Sequence, residues 1–168
     1  MNAQPAQYLE IFLQPGDFYF GDADTRIRTI LGSCVSITLW HPGLRVGGMC
    51  HYMLPSRGGR LGDALDGRYA EEAMQLFLRE LRPFKAPPQA WEAKLFGGAD
   101  MFPHIEKREA SLVGQRNVAM GRALLNGYGF RVVAEHVGGV GHRRLIFDLW
   151  SGAVWLKQET DALRARAS

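Results

Sequence analysis

Cys34 and His51 are the two side chains whose types and spacing point to chemistry. Cys34 follows a turn of small residues, Gly32 and Ser33, and His51 lies one predicted strand further along the chain. A thiol that gives its proton to an imidazole becomes a nucleophile, which attacks carbonyl carbon and forms a thioester. The two cysteines form no CxxC pattern, so their spacing gives little support to a metal or redox site.

A predicted hairpin explains how the two side chains meet. Residues 34–40 alternate along a strand, residues 45–53 form a second strand, and Pro42 lies in the turn between them. Pairing about this turn places His51 beside Cys34 on one face, because alternate residues of a strand share a face. The sequence therefore predicts a nucleophile next to its base.

The ordinary interpretation of a lone cysteine is a core residue, and two features weigh against it for Cys34. Backbone N–H groups of Gly32 and Ser33 can converge near the sulfur and hold an oxyanion. Thr29 can hydrogen-bond the imidazole and fix its tautomer, although turn bonding is the more common role of such a residue. Cys50 points away from His51 along the same strand, so we interpret Cys50 as core.

Periodicity and turn residues predict one α+β domain over residues 1–168, a layered sandwich of mostly antiparallel strands with two main helices. Residues 17–24 are expected to form a loop, and Asp66 is expected to cap the first helix. The tail, 158–168, is expected to fray or form a short helix. The predicted strands are 8–13, 34–40, 45–53, 91–96, 130–137, 143–149 and 153–157, and the predicted helices are 67–81 and 114–126.

Glycine-rich segments predict where a substrate approaches the thiol. The long loop from Ser56 to Gly67 is a plausible rim or lid, and it carries Arg57 and Arg60. Gly97 and Gly98 follow a predicted strand and would let a bulky chain come close. These four residues are our candidates for a substrate rim.

The composition limits the class of partner. The net charge is +3, and 46% of residues are hydrophobic, which is enough for a sizeable core. No nucleic-acid motif or basic stripe accompanies the charge, so we expect no nucleic acid and favour an acidic protein partner. No apolar run is long enough to insert into a membrane, and the N-terminus has no signal-peptide pattern, so we expect a cytoplasmic protein with free thiols.

Several ordered motifs resemble one family, the chemoreceptor glutamine deamidases (CheD), over nearly the whole chain. The resemblance begins near Leu13 and ends near Lys157. The motifs that carry it are Leu13-Gln14-Pro15-Gly16, Thr29 to Val35, Gly47 to Pro55, Arg68-Tyr69, Ala93 to Met101, Gly114 to Val118, Gly138-Gly139, Ile146-Phe147-Asp148 and Gly152.

The resemblance implies an activity and the residues that perform it. It assigns the nucleophile to Cys34, the histidine to His51 and the threonine to Thr29. It implies an α/β/α-type sandwich with a papain-like Cys–His arrangement, and a protein-glutamine glutaminase that converts receptor glutamines to glutamate without metal or cofactor. The expected partners are methyl-accepting chemotaxis receptors and, in some bacteria, a CheC-type phosphatase.

Two departures and two alternatives accompany this interpretation. Many members of the family carry Asn where this chain has Cys50 and Asp100, which bears on rate and substrate range. One alternative is a binding module that occupies a receptor or a phosphatase without using its chemistry. The other is a transglutaminase-type acyl transfer, in which an amine replaces water at the thioester.

Overall fold

The computed structural model describes residues 3–59, 64–106 and 109–159, and these residues form nine strands and two α-helices. Short 3₁₀ turns at Arg82–Phe84 and Pro88–Ala90 lead into β6. In chain order the elements are β1 (Leu9–Phe12), β2 (Phe18–Gly21), β3 (Thr25–Leu31), β4 (Val35–His41), β5 (Val46–Cys50), α1 (Ala70–Leu81), β6 (Glu92–Gly97), α2 (Glu109–Gly127), β7 (Arg131–Val137), β8 (His142–Asp148) and β9 (Val154–Glu159).

The strands form two sheets. One has the order β1-β3-β8-β9 and the other the order β2-β5-β4-β6-β7. Within these sheets only β1–β3 and β6–β7 pair in parallel, and the remaining neighbours are antiparallel. The predicted α+β sandwich of mostly antiparallel strands with two helices is confirmed.

The order of the layers differs from the expected α/β/α sandwich. Both helices pack on one face of the five-stranded sheet, against odd-numbered residues of β4 such as Ile37. The other face packs against the four-stranded sheet, where Trp40 and Met49 meet Ile27 and Phe147. The order of the layers is therefore helices, five-stranded sheet, four-stranded sheet. In an α/β/α sandwich, helices would cover the face that the four-stranded sheet covers here.

Two strands, β2 and β3, were not predicted from the sequence. The expectation of a loop over 17–24 is wrong, because β2 pairs with β5 through four residues. The inward-facing residues of β3 alternate with outward-facing ones, so Thr29 is buried beside Ile27 and Leu31 while Arg28 is exposed. This alternation turns Thr29 toward the five-stranded sheet.

The first helix starts later than predicted, and Asp66 does not cap it. The helix begins at Ala70, whose backbone N–H donates to Leu54 O at 2.9 Å. The Asp66 carboxylate instead accepts from the Arg68 backbone N–H at 3.0 Å and pairs with the Arg68 guanidinium. The chain that follows His51 thus satisfies the helix N-terminus with its own carbonyl groups.

The other boundaries shift by a few residues. The second helix begins at Glu109 rather than at 114. Strand β9 extends to Glu159, so the first two residues of the predicted tail belong to a sheet. The rest of that tail lies outside the described residues.

Glycine is required at one close contact between sheet and helix. Gly98 has φ +71°, and a Cβ there would lie 2.3 Å from Val118 Cγ2 and 2.8 Å from Gly114 O. Gly138 has nearly the same backbone conformation, φ +74°, but a Cβ there would meet no atom within 4 Å. Substitutions at both Gly98 and Gly138 would strain the backbone, but only a substitution at Gly98 would also cause steric overlap.

We predict that Gly98→Ala destabilises the fold more than Gly138→Ala. The left-handed conformation costs each variant about 1–2 kcal/mol, and overpacking against α2 adds about 1–3 kcal/mol at Gly98 only. Urea unfolding of both variants measures the difference. Equal losses would mean that α2 moves away from β6 without cost.

Candidate active site

Cys34 lies in the short connection between β3 and β4, where its thiol is partly exposed. The Cys34 carbonyl accepts a hydrogen bond from Gly98 N at 2.9 Å, which ties this connection to the end of β6. The side chain packs against the apolar cluster between the two sheets. Burial raises the pKa of the Cys34 thiol, so the resting group is protonated near neutral pH.

His51 follows the last residue of β5 and is 2% exposed. Its backbone N–H donates to Asp17 O at 3.2 Å, and its carbonyl accepts from Gly16 N at 2.7 Å. Beside it, Val35 and Tyr52 exchange backbone hydrogen bonds of 3.1 and 3.0 Å. This register sets His51 opposite Ser36, on the face of the sheet that also carries Cys34.

The Thr29 hydroxyl joins the two sheets and orients the imidazole. Thr29 Oγ1 lies 2.9 Å from Leu13 O and 2.7 Å from His51 Nδ1. A carbonyl oxygen can only accept, so the single hydroxyl proton is donated to Leu13 O. The hydroxyl oxygen must then accept from His51 Nδ1–H, which leaves the lone pair of the imidazole on Nε2.

The Nε2 atom is buried and has no hydrogen-bond partner among the described residues. Burial lowers the pKa of His51 from 6.5 to about 4, against a smaller opposing effect of the Asp17 carboxylate. The imidazole is therefore neutral near pH 7 and able to accept a proton. Together with the raised pKa of Cys34, this favours a neutral thiol and a neutral imidazole in the resting site.

The turn before Cys34 is held by its carbonyl groups. Gly32 O accepts from Ala99 N at 3.0 Å, and Ser33 O accepts from Asn117 Nδ2 at 3.1 Å. The backbone N–H groups of Gly32, Ser33 and Cys34 donate to no acceptor that the described residues supply. These donors are thus available to an anionic oxygen close to the sulfur.

The predicted substrate-rim residues Gly97 and Gly98 do not lie at an exposed edge of the site. Gly97 and Gly98 are buried, and a Cβ on Gly97 would lie 2.3 Å from Cys34 O. These glycines support the turn from beneath and do not form an exposed edge. Arg57 pairs with the buried carboxylate of Glu72, which offsets its charge. Arg60 lies outside the described residues.

Cys50 is fully buried in the core between the helices and the five-stranded sheet, as the sequence predicted. Its sulfur lies 3.4 Å from Ile37 N, which donates to it. Burial raises the pKa of the Cys50 thiol to about 12. This residue is therefore a packing group and a poor nucleophile. The Asp100 carboxylate, at the other departure, accepts from Phe102 N at 2.8 Å and closes a local turn.

Asn117 is the residue that sequence reasoning missed. Its fully buried side chain donates to carbonyl groups on both sides of the site. On the second helix, Arg122 is exposed and pairs with Glu135. The buried side of this helix includes Asn117 and Leu125, which are spaced by two i, i+4 steps. A polar residue at such a spacing was the available signal.

Fold and site together define a class of protein, an α+β sandwich that presents a partly exposed thiol on the same face as an oriented, neutral imidazole. Within the described part of the chain, no group of three or more His, Cys, Asp or Glu side chains is arranged to hold a metal ion. None of the described helices has both the length and the apolarity needed to span a membrane.

Comparisons with known proteins identify the family. Residues 53–158 match the family described as CheD chemotactic sensory transduction. The chain is 52% identical over 156 residues to the probable chemoreceptor glutamine deamidase CheD 3 of Dechloromonas aromatica (strain RCB), which covers 93% of this chain and 91% of that protein. It is 49% identical to the probable chemoreceptor glutamine deamidase CheD 1 of Chromobacterium violaceum, over 90% of this chain and 79% of that protein. The chain belongs to the CheD family.

An alignment that spans 93% of the chain necessarily includes Thr29, Cys34 and His51, which precede the segment matched by the family model. Among solved structures, the hypothetical protein YfiH of Bacillus licheniformis is similar with a TM-score of 0.47 and 11% identity, over 79% of this chain and 60% of that one. A likeness at that level carries no argument about function.

We predict that the buried imidazole makes the protein less stable in acid. Below pH 6.5 the unfolded chain binds a proton at His51 that the folded protein accepts only near pH 4. The free energy of unfolding therefore falls as the pH drops from 6.5 to 4, by about 3 kcal/mol from this residue. Urea unfolding at a series of pH values measures this loss.

The matched controls are two histidine variants. His51→Gln should remove about 3 kcal/mol of the pH dependence between 6.5 and 4, whereas His142→Gln, at an exposed position, should keep it. An unchanged pH dependence in His51→Gln would contradict the buried neutral state.

Proposed function

We propose that this protein hydrolyses the side-chain amide of selected glutamine residues in chemoreceptors, producing glutamate and ammonia. The observation that carries the proposal is the Thr29–His51 hydrogen bond, because it leaves a basic nitrogen free on the face that holds Cys34. The relatives are named as probable chemoreceptor glutamine deamidases, and the same chemistry suits the site.

In the first half of the reaction, His51 Nε2 takes the proton of Cys34 as the sulfur attacks the carbonyl carbon of the glutamine amide. A C–S bond forms, and the carbonyl oxygen becomes an oxyanion that the backbone N–H groups of Gly32 to Cys34 hold. The C–N bond then breaks. The departing nitrogen takes the proton from His51 and leaves as ammonia, and a thioester remains on Cys34.

In the second half, water enters the position that ammonia has left. His51 Nε2 takes a proton from the water, and the hydroxide oxygen attacks the thioester carbon. The C–S bond breaks, and the sulfur recovers its proton from the imidazolium. The product is a glutamate side chain, and every group of the enzyme returns to its starting state without a metal or a cofactor.

The substrate is a glutamine on a folded protein, not the free amino acid. Two apolar side chains, Met53 and Leu54, are 38% and 43% exposed just beyond His51. Such an apolar surface suits the side of a receptor helix. We place the reaction in the cytoplasm, on the cytoplasmic part of the receptor, and propose a CheC-type phosphatase as a second partner. Co-purification of a CheC-type protein with this chain tests the second partner.

We predict that Cys34→Ala abolishes ammonia release from a receptor cytoplasmic fragment, whereas Cys50→Ala retains most of it. Cys34 shares a face with His51, while Cys50 is enclosed in the core. Mass spectrometry of the fragment, which detects the mass increase of amide-to-acid conversion, measures both variants. Activity that survives in Cys34→Ala and vanishes in a folded Cys50→Ala would reverse the assignment.

We predict that a receptor fragment releases ammonia far faster than free glutamine at equal concentration, because binding energy from the rest of the protein substrate positions the amide. Adding a primary amine separates hydrolysis from acyl transfer. A product that stays glutamate supports the deamidase, and amine incorporation would indicate the transglutaminase-type reaction. Equal rates with free glutamine, or binding of the fragment without any turnover, would contradict the proposal.

A further inference from the structure

Asn117 connects the two segments that carry the thiol and the imidazole. Its Nδ2 atom donates to Ser33 O at 3.1 Å and to Met53 O at 2.8 Å. Ser33 immediately precedes Cys34, and Met53 lies two residues after His51. One side-chain amide on α2 therefore holds the backbone on both sides of the candidate active site.

The orientation of this amide is fixed by its partners. Both acceptors are carbonyl oxygens, so the atom that faces them must be the NH₂ group. The Oδ1 atom is buried and has no partner among the described residues. A buried acceptor without a partner costs free energy that an apolar side chain would avoid. The arrangement thus keeps the two donors at the expense of the acceptor.

The helix α2, which carries Asn117, is itself tied to the segment that follows β5. Tyr52 donates from its hydroxyl to the backbone carbonyl of Asn117 at 2.5 Å. A Cβ on Gly121 would lie 2.5 Å from that hydroxyl, so the glycine allows the close approach. The Asn117 side chain is therefore presented from a rigid base.

We propose that Asn117 is a positioning residue that sets the separation of Cys34 and His51 by clamping Ser33 and Met53. This inference rests on the proposed function of the thiol and the imidazole. Asn117 makes its side-chain hydrogen bonds to the backbone of their neighbours and acts through those segments. A displacement of about 1 Å between reacting groups can lower a rate by about 100-fold, so a clamp at this place governs the reaction.

The test measures alkylation of Cys34 by iodoacetamide, which requires no receptor. Mass spectrometry of the Cys34 peptide distinguishes this thiol from Cys50. We expect Asn117→Ala to lower the rate at pH 7 by about tenfold and to give the pH profile of His51→Ala, because the imidazole no longer reaches the thiol. Asn126→Ala, an exposed asparagine on the same helix, should react like the unmodified protein.

A double-mutant cycle separates positioning from general loosening of the fold. If Asn117 acts through the Cys34–His51 geometry, Asn117→Ala has no further effect on alkylation in the His51→Ala background. With a receptor fragment, the same variant should lower kcat and leave KM nearly unchanged. Asn117→Ser, which retains one donor, provides a milder substitution if the alanine variant does not fold.

Three results would overturn the inference. They are a wild-type alkylation profile in folded Asn117→Ala, an undiminished effect of that variant in the His51→Ala background, and loss of the fold in both the alanine and the serine variants. If alkylation responds as expected but no receptor fragment is deamidated, the clamp is supported and the proposed function fails. The two ideas are therefore tested separately.

Discussion

The hydrogen bond between Thr29 and His51 is the interaction on which the site depends. It crosses from the four-stranded sheet to the five-stranded sheet, so the packing of the two layers determines whether it forms. The Thr29 hydroxyl is committed to Leu13 O, which makes it an acceptor toward the imidazole and selects the tautomer with a free Nε2. The packing of the two sheets thus determines that Nε2 is the unprotonated, basic nitrogen of His51.

The same packing determines the charge state of the site. Burial opposes ionisation of both groups, since it raises the pKa of Cys34 and lowers that of His51 to about 4. A preformed thiolate–imidazolium pair is therefore disfavoured in the resting protein. Proton transfer and attack on the amide belong to one step, so the nucleophile develops its charge only when an electrophilic carbon is in place to receive it.

Local patterns predicted the hairpin well, because its information lies within a few residues. Alternation along residues 34–40 and the turn at Pro42 were enough to put Cys34 and His51 on one face. The observed register differs from the expected direct pairing, because it sets His51 opposite Ser36 and not opposite Cys34. Strand β3 was missed although it also alternates. Thr29 shares its buried side with Ile27 and Leu31. A threonine at such a position is not recognised as buried from the sequence, because its hydrogen-bond acceptor, Leu13 O, lies at the end of another strand.

What the sequence could not provide is contact between distant segments. Ser36 and Thr38 lie on the polar side of β4, yet both are buried because a second sheet covers them. Asn117 is separated from Ser33 by half of the chain, and no local periodicity connects the two. A buried polar residue is stable only where its partners are, so such positions are fixed by tertiary packing alone. The residues that hold the site together are for this reason harder to predict than the residues that carry its chemistry.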